Sequence, residues 1–140
     1  MDITVKEQPK RFWFSLKTGE DKYEWKSVVG HEIKVGGYSF FAACLPNNIL
    51  NVSEVTTGSK VFETKLTVLD LIITETKEET MVFFRDYVGE ELKKIINKVP
   101  DFKNRLIAMQ EKNKALLGDM PEIEDVDDTF ITAPIAQIMN

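Results

Sequence analysis

The sequence predicts an α+β fold: an antiparallel sheet of four or five strands, then two helices packed on one of its faces. Three observations carry that expectation. Residues 10–68 are rich in aromatic and β-branched side chains that alternate with polar ones, the pattern of half-buried strands. Gly- and Asn-containing turn signals interrupt them at short intervals. Near Thr76 the apolar period changes from two to about 3.6, as a helix requires.

The elements follow in order. Phe12-Trp13-Phe14-Ser15-Leu16 is a first strand with Phe12, Phe14 and Leu16 on one face, and Thr18-Gly19-Glu20-Asp21 turns the chain. A second strand runs from Tyr23 to Val29, with Gly30 as its expected end. Ile33-Lys34-Val35 leads into Gly36-Gly37, a turn. Tyr38 to Leu45 is apolar apart from Ser39, as for a central strand buried on both faces, until Pro46-Asn47-Asn48 stops it. The runs Leu50 to Val55 and Lys60 to Val68 flank Thr56-Thr57-Gly58-Ser59 and read as a β-hairpin.

Thr76-Lys77-Glu78-Glu79 fits a capping box, in which Thr76 accepts from the Glu79 amide and Glu79 reaches back. Residues 77–98 then form a helix with Thr80, Met81, Phe84, Val88, Leu92, Ile95, Ile96 and Val99 along its apolar stripe. Val99-Pro100 breaks it, and Asp101 is the expected N-cap of a second helix over 102–117, closed by Gly118.

At 140 residues with 43% apolar and 29% charged side chains, the chain has the size and composition of one folded domain. That domain is expected to span residues 1–118. It carries 18 basic and 17 acidic side chains, a nearly neutral globule. The first residues have no apolar run of a secretory leader, and no segment approaches the 18 apolar residues of a membrane span. A cytoplasmic, non-membrane protein is the expectation.

Residues 119–140 differ. Asp119, Glu122, Glu124, Asp125, Asp127 and Asp128 fall within ten positions with no Lys or Arg among them. The last twelve residues carry no charge, and Phe130 opens an apolar stretch to Met139. An acidic connector followed by an apolar segment is expected to dock on the domain or on a second copy. Those six carboxylates and Phe130 are the expected partner-binding residues.

Chemistry is sparse. His31 is the single histidine and Cys44 the single cysteine, so no disulfide forms within the chain and a His/Cys metal site lacks ligands. Cys44 lies in an apolar run and reads as a small buried hydrophobe. No nucleophile elbow, P-loop or dinucleotide fingerprint occurs. The spacing in the carboxylate cluster does not fit a calcium loop. No catalytic residue, metal or cofactor is therefore expected. Basic residues balance acidic ones, 8 against 7 in residues 1–60 and 10 against 10 in 61–118, so direct nucleic-acid binding is not expected either. If strand aromatics such as Trp13, Trp25 and Tyr38 are left exposed, they offer an anchor surface.

Asn51-Val52-Ser53-Glu54-Val55-Thr56-Thr57-Gly58-Ser59-Lys60-Val61, followed by Thr76-Lys77-Glu78-Glu79-Thr80, resembles small proteins of bacteriophages and mobile elements that share a strand, Thr-Gly turn, strand and Thr-x-Glu-Glu helix layout. The resemblance covers about 30 of the 140 residues. Proteins of that layout share no common activity; some short phage proteins inhibit host defences, by binding a nuclease complex or sequestering a signalling nucleotide, and by that association a phage-type inhibitor is the expectation. The reading is a non-enzymatic binding protein, a homodimer, acting through a protein partner. The alternative is a small-ligand or nucleotide binder using the helix N-terminus at Thr76–Glu79, although Glu75, Glu78 and Glu79 would repel phosphate there.

Overall fold

A computed structural model describes residues 1–126. The architecture is α+β. Six antiparallel strands form one sheet in the order β5-β4-β3-β2-β1-β6. They are β1 Ile3–Gly19, β2 Lys22–Val35, β3 Tyr38–Leu45, β4 Ile49–Glu54, β5 Lys60–Lys65 and β6 Glu124–Asp125. Between β5 and β6 lie a short helix Val68–Ile72, a long helix over residues 77–98, and a last helix Phe102–Leu117. None of the helices among the described residues is long and apolar enough to cross a membrane.

The sheet thus has more strands than the four or five expected, and there are three helices rather than two. Two corrections explain most of this. β5 ends at Lys65, because Thr67 and Asp70 form a reciprocal capping box that turns the chain into the short helix. β6 is a two-residue strand of acidic side chains, which strand propensity does not anticipate. At the long helix, Thr76 does accept from the Glu79 amide at 3.1 Å. Asp101 makes no side-chain cap and instead sits in the left-handed region at φ 54°.

The main core lies between one sheet face and the long helix. Ile33, Val35, Phe40, Ala42, Leu50 and Val52 pack with Phe83, Phe84, Val88, Leu92 and Ile96. The long helix contains a π-helical segment, Phe84–Val88. The widened turn shifts the phase of its apolar stripe, so the adjacent Phe83 and Phe84 are both buried. A smaller core occupies the opposite face, where Phe12, Phe41 and Ala43 pack with Phe14, Val28, Val55 and Ile123. The Phe12 and Phe41 rings stack at 4.5 Å. β3 is therefore buried on both faces, as its apolar run predicts.

Gly30 does not end β2. The strand runs through it, pairing with Lys10. A Cβ there would stand 2.4 Å from the carbonyl oxygen of Ala42, so only glycine lets β2 and β3 approach this closely. The sheet is strongly curved. The amide of Ser15 in β1 donates to the carbonyl of Gly58, in the β4–β5 turn, at 2.9 Å, although β2 and β3 separate β1 from β4. Gly58 adopts φ +67° beneath Trp25, which satisfies the expectation of a positive φ in this turn.

Candidate functional site

Four of the six acidic residues expected to form a contact surface lie among the described residues. Residues 119–126 run along the outer edge of β1. Glu124 and Asp125 pair with Arg11 and Lys10, and the Val126 amide donates to the Pro9 carbonyl at 3.0 Å. The indole of Trp13 donates to the Glu122 carbonyl at 3.1 Å, and that of Trp25 to the Gly118 carbonyl at 3.3 Å. Glu124 lies 3.8 Å from Arg11, and Asp119 lies 3.4 Å from Lys114. Cations of the chain itself thus face two of the four described carboxylates, and Glu122 and Asp125 point their charge outward from an exposed edge. Asp127, Asp128 and Phe130 lie outside the described residues, as does the apolar C-terminal segment.

Among the described residues, exposed apolar side chains concentrate elsewhere. Six large apolar side chains are exposed between residues 68 and 87: Val68, Leu69, Ile72, Ile73, Val82 and Tyr87. Val68 is 74% exposed and Ile72 54%. Three of them, Ile73, Val82 and Tyr87, line with Phe83 a groove of about 540 Å³ whose rim includes Glu78, Glu79 and Asp86; Val68, Leu69 and Ile72 lie on the short helix beside it. An isolated exposed Leu needs no explanation, but a contiguous cluster marks a contact surface.

The local structure holds these residues out. The short helix buries none of its residues, so apolar packing alone does not fix it. Polar bonds do. Thr67 caps it. The buried Thr74 hydroxyl donates to the Asp70 carbonyl at 2.7 Å. The Thr80 hydroxyl ties the long helix back to the carbonyls of Thr74 and Thr76. Only Leu71 packs against the main core. An apolar surface on a braced scaffold is preorganised, which lowers the entropy lost when something docks there. On the rim, the Arg85 guanidinium 2.9 Å from Asp86 holds that carboxyl below the usual carboxylate range through a hydrogen bond. The other rim carboxylates, Glu78 and Glu79, stand in the first turn of the long helix.

A second hollow, of about 330 Å³, lies where the last helix meets the β1–β2 hairpin and includes Trp25, Thr56, Gln110 and Asn113 in its lining. Its polar groups are already engaged. The buried Asn113 amide donates to the Thr57 carbonyl at 2.7 Å and to the Ser59 hydroxyl at 2.9 Å. Glu54, buried in β4, accepts from the Thr56 amide and hydroxyl and from the Thr57 amide at 2.8–3.0 Å. This is a structural seam that locks the β4–β5 turn to the last helix.

The two residues with nucleophile or base chemistry are both set into the sheet. His31 is buried, with Nδ1 3.0 Å from the Lys6 carbonyl. Burial pushes the Cys44 thiol up to about 12, the opposite of an activated thiolate. No group of three or more His, Cys, Asp and Glu residues suited to a metal ion occurs among the described residues. No protein-family model, characterised protein or solved structure matches the chain, so its surface chemistry carries the functional argument.

Proposed function

We propose that the chain is a non-enzymatic binding protein that acts through a protein partner seated on the apolar groove between the short and long helices. The observation that carries this reading is the set of six exposed apolar side chains on a scaffold braced by threonine hydroxyls. Leaving them in water wastes burial of roughly 25 cal/mol per Å², a cost that a partner recovers. The carboxylate rim of Glu78, Glu79 and Asp86 favours a partner that presents apolar side chains flanked by Lys or Arg. The biological setting we infer is the one implied by the hairpin-and-cap resemblance, a phage-type inhibitor of a host-defence protein. The nucleotide-binding alternative finds less support, because this acidic rim repels phosphate.

Affinity capture from a bacterial lysate with three forms of the chain tests the proposal. The forms are the wild type, an Ile73→Asp/Val82→Asp variant of the groove, and an Asp119→Asn/Glu122→Gln/Asp125→Asn variant of the edge. A partner held by the wild type and the edge variant but lost from the groove variant supports the reading. A partner lost only from the edge variant, or held equally by all three, refutes it.

A further inference from the structure

The charge of the helical region is divided in two. Residues 68–91 carry seven acidic and two basic side chains, and residues 92–118 carry seven basic and two acidic. Helix macrodipoles account for part of this: Glu78 and Glu79 begin the long helix and Lys98 ends it. They do not account for the last helix, whose first turn has no acid and contains Lys103 and Arg105. Cations at that end are unfavourable for the helix itself. Lys93 and Lys94 are tied to Glu90 and Glu91, whereas Lys103, Arg105 and Lys112 make no ion pair among the described residues.

The last helix is also poorly covered. Asn113 is its single buried residue, and Met109 and Leu116 are exposed. Arg105, Met109, Lys112 and Leu116 follow one another at i, i+4, i+7 and i+11, which places them on one helical stripe. That stripe alternates cation and apolar side chain. The groove presents the complement: apolar walls with an acidic rim. The groove is lined by residues of the first half of the long helix, and the stripe belongs to the separate helix that follows it.

We propose that the groove takes the Arg105–Leu116 stripe of a second copy of this chain, so that self-association and partner binding compete for one surface. This rests on the reading of the groove as a docking site. Because the two patches differ, the contact either closes as a two-fold pair with two reciprocal groove–helix contacts or extends from copy to copy.

The test is the solution mass of the full chain by light scattering over a range of protein and salt concentrations. Two surface variants are measured beside the wild type: Glu78→Lys/Glu79→Lys, and Arg105→Glu/Lys112→Glu. The wild type is expected to rise above 16.1 kDa with concentration and to fall back as salt screens the rim. Each variant should associate at least about tenfold more weakly, since like charges then meet. An equimolar mixture of the two should regain association, because native groove meets native helix and reversed groove meets reversed helix. A wild type that stays at 16.1 kDa throughout overturns the proposal. So does a variant that associates like the wild type, or a mixture that regains nothing. If the wild type stays monomeric while lysate capture still depends on Ile73 and Val82, the groove reading stands and only its self-occupancy falls. If capture ignores them too, both fall.

Discussion

Replacing Gly30 with alanine sets two physical arguments against each other. In a strand interior glycine is the poorer residue by about 0.5–1 kcal/mol, so propensity alone expects Gly30→Ala to stabilise the protein. The structure expects the reverse. The new Cβ would stand 2.4 Å from the Ala42 carbonyl oxygen and 3.2 Å from the Ala43 Cβ, against a comfortable separation of about 3.5 Å. β2 and β3 would have to part by about 1 Å beside the His31↔Ala42 pair that ends their ladder. Overpacking of this kind costs about 1–3 kcal/mol. Separating Phe12 from Phe41, stacked on the same face, adds about 1 kcal/mol. After the propensity gain is subtracted, the net loss is about 1–3.5 kcal/mol. With a urea slope near 2 kcal/mol/M, the midpoint should fall by about 0.5–1.7 M. Trp13 and Trp25, on the two strands of the β1–β2 hairpin, report the transition by fluorescence. A variant whose midpoint equals or exceeds that of the wild type, at the same slope, would refute the reasoning.

Three further outcomes follow from the same contacts. Glu54→Ala removes the acceptor of three buried or part-buried donors in the β4–β5 turn and should cost about 3 kcal/mol or more, read as a fall of roughly 10 °C in Tm; a change below 1 kcal/mol would count against that network. Asn113→Ala leaves the buried Thr57 carbonyl without its donor, so amide exchange should speed up over Phe102–Leu117 while the long helix keeps its protection, and uniform exchange in both would contradict the seam. The Cys44 thiol, raised by burial to about 12 in the folded state, keeps its proton after the unfolded thiol has lost its own. Its contribution is fully present below the unfolded value near 8.5 and is lost as pH rises toward 12, by up to about 1.4 kcal/mol per pH unit. Wild type should therefore lose stability faster than Cys44→Ala in alkaline urea titrations, and native Cys44 should resist alkylation at pH 8; parallel slopes or rapid labelling would disprove this.

Much of the fold is legible in the sequence. The apolar run Tyr38 to Leu45 can only be a strand covered on both faces, and the Thr56–Ser59 turn follows from Gly58. The long helix is evident from its periodicity over 77–98, although Phe83, outside the expected stripe, is buried in the core as well. Other features are hidden for physical reasons. β1 begins at Ile3 and contains Pro9, a residue that argues against a strand; here it sits beside a register shift between Val5 and Pro9, where pairing is already interrupted. Gly30 looks like a terminator, because close approach of two backbones leaves no trace in local sequence. The capping box at Thr67 and Asp70 was readable, but the alternation of Phe62, Thr64, Leu66 and Val68 runs through it and masks it.

The candidate groove was less legible. Val82 and Tyr87 lie in the same helical segment as core residues, and which side of a helix finds a cover is decided by the sheet. The division of charge was present in the sequence but invisible in a window of 61–118, where ten acids cancel ten bases. The acidic stretch, by contrast, is obvious in the sequence and lies partly against Arg11 and Lys114, exposed pairs worth little individually.

The most direct test of the central claim is hydrogen–deuterium exchange of the full chain with and without its captured partner. Docking on the groove predicts new protection centred on residues 68–87, with the edge strand at 119–126 unchanged. Protection confined to 119–126, with the short helix exchanging as in the free chain, would contradict the account.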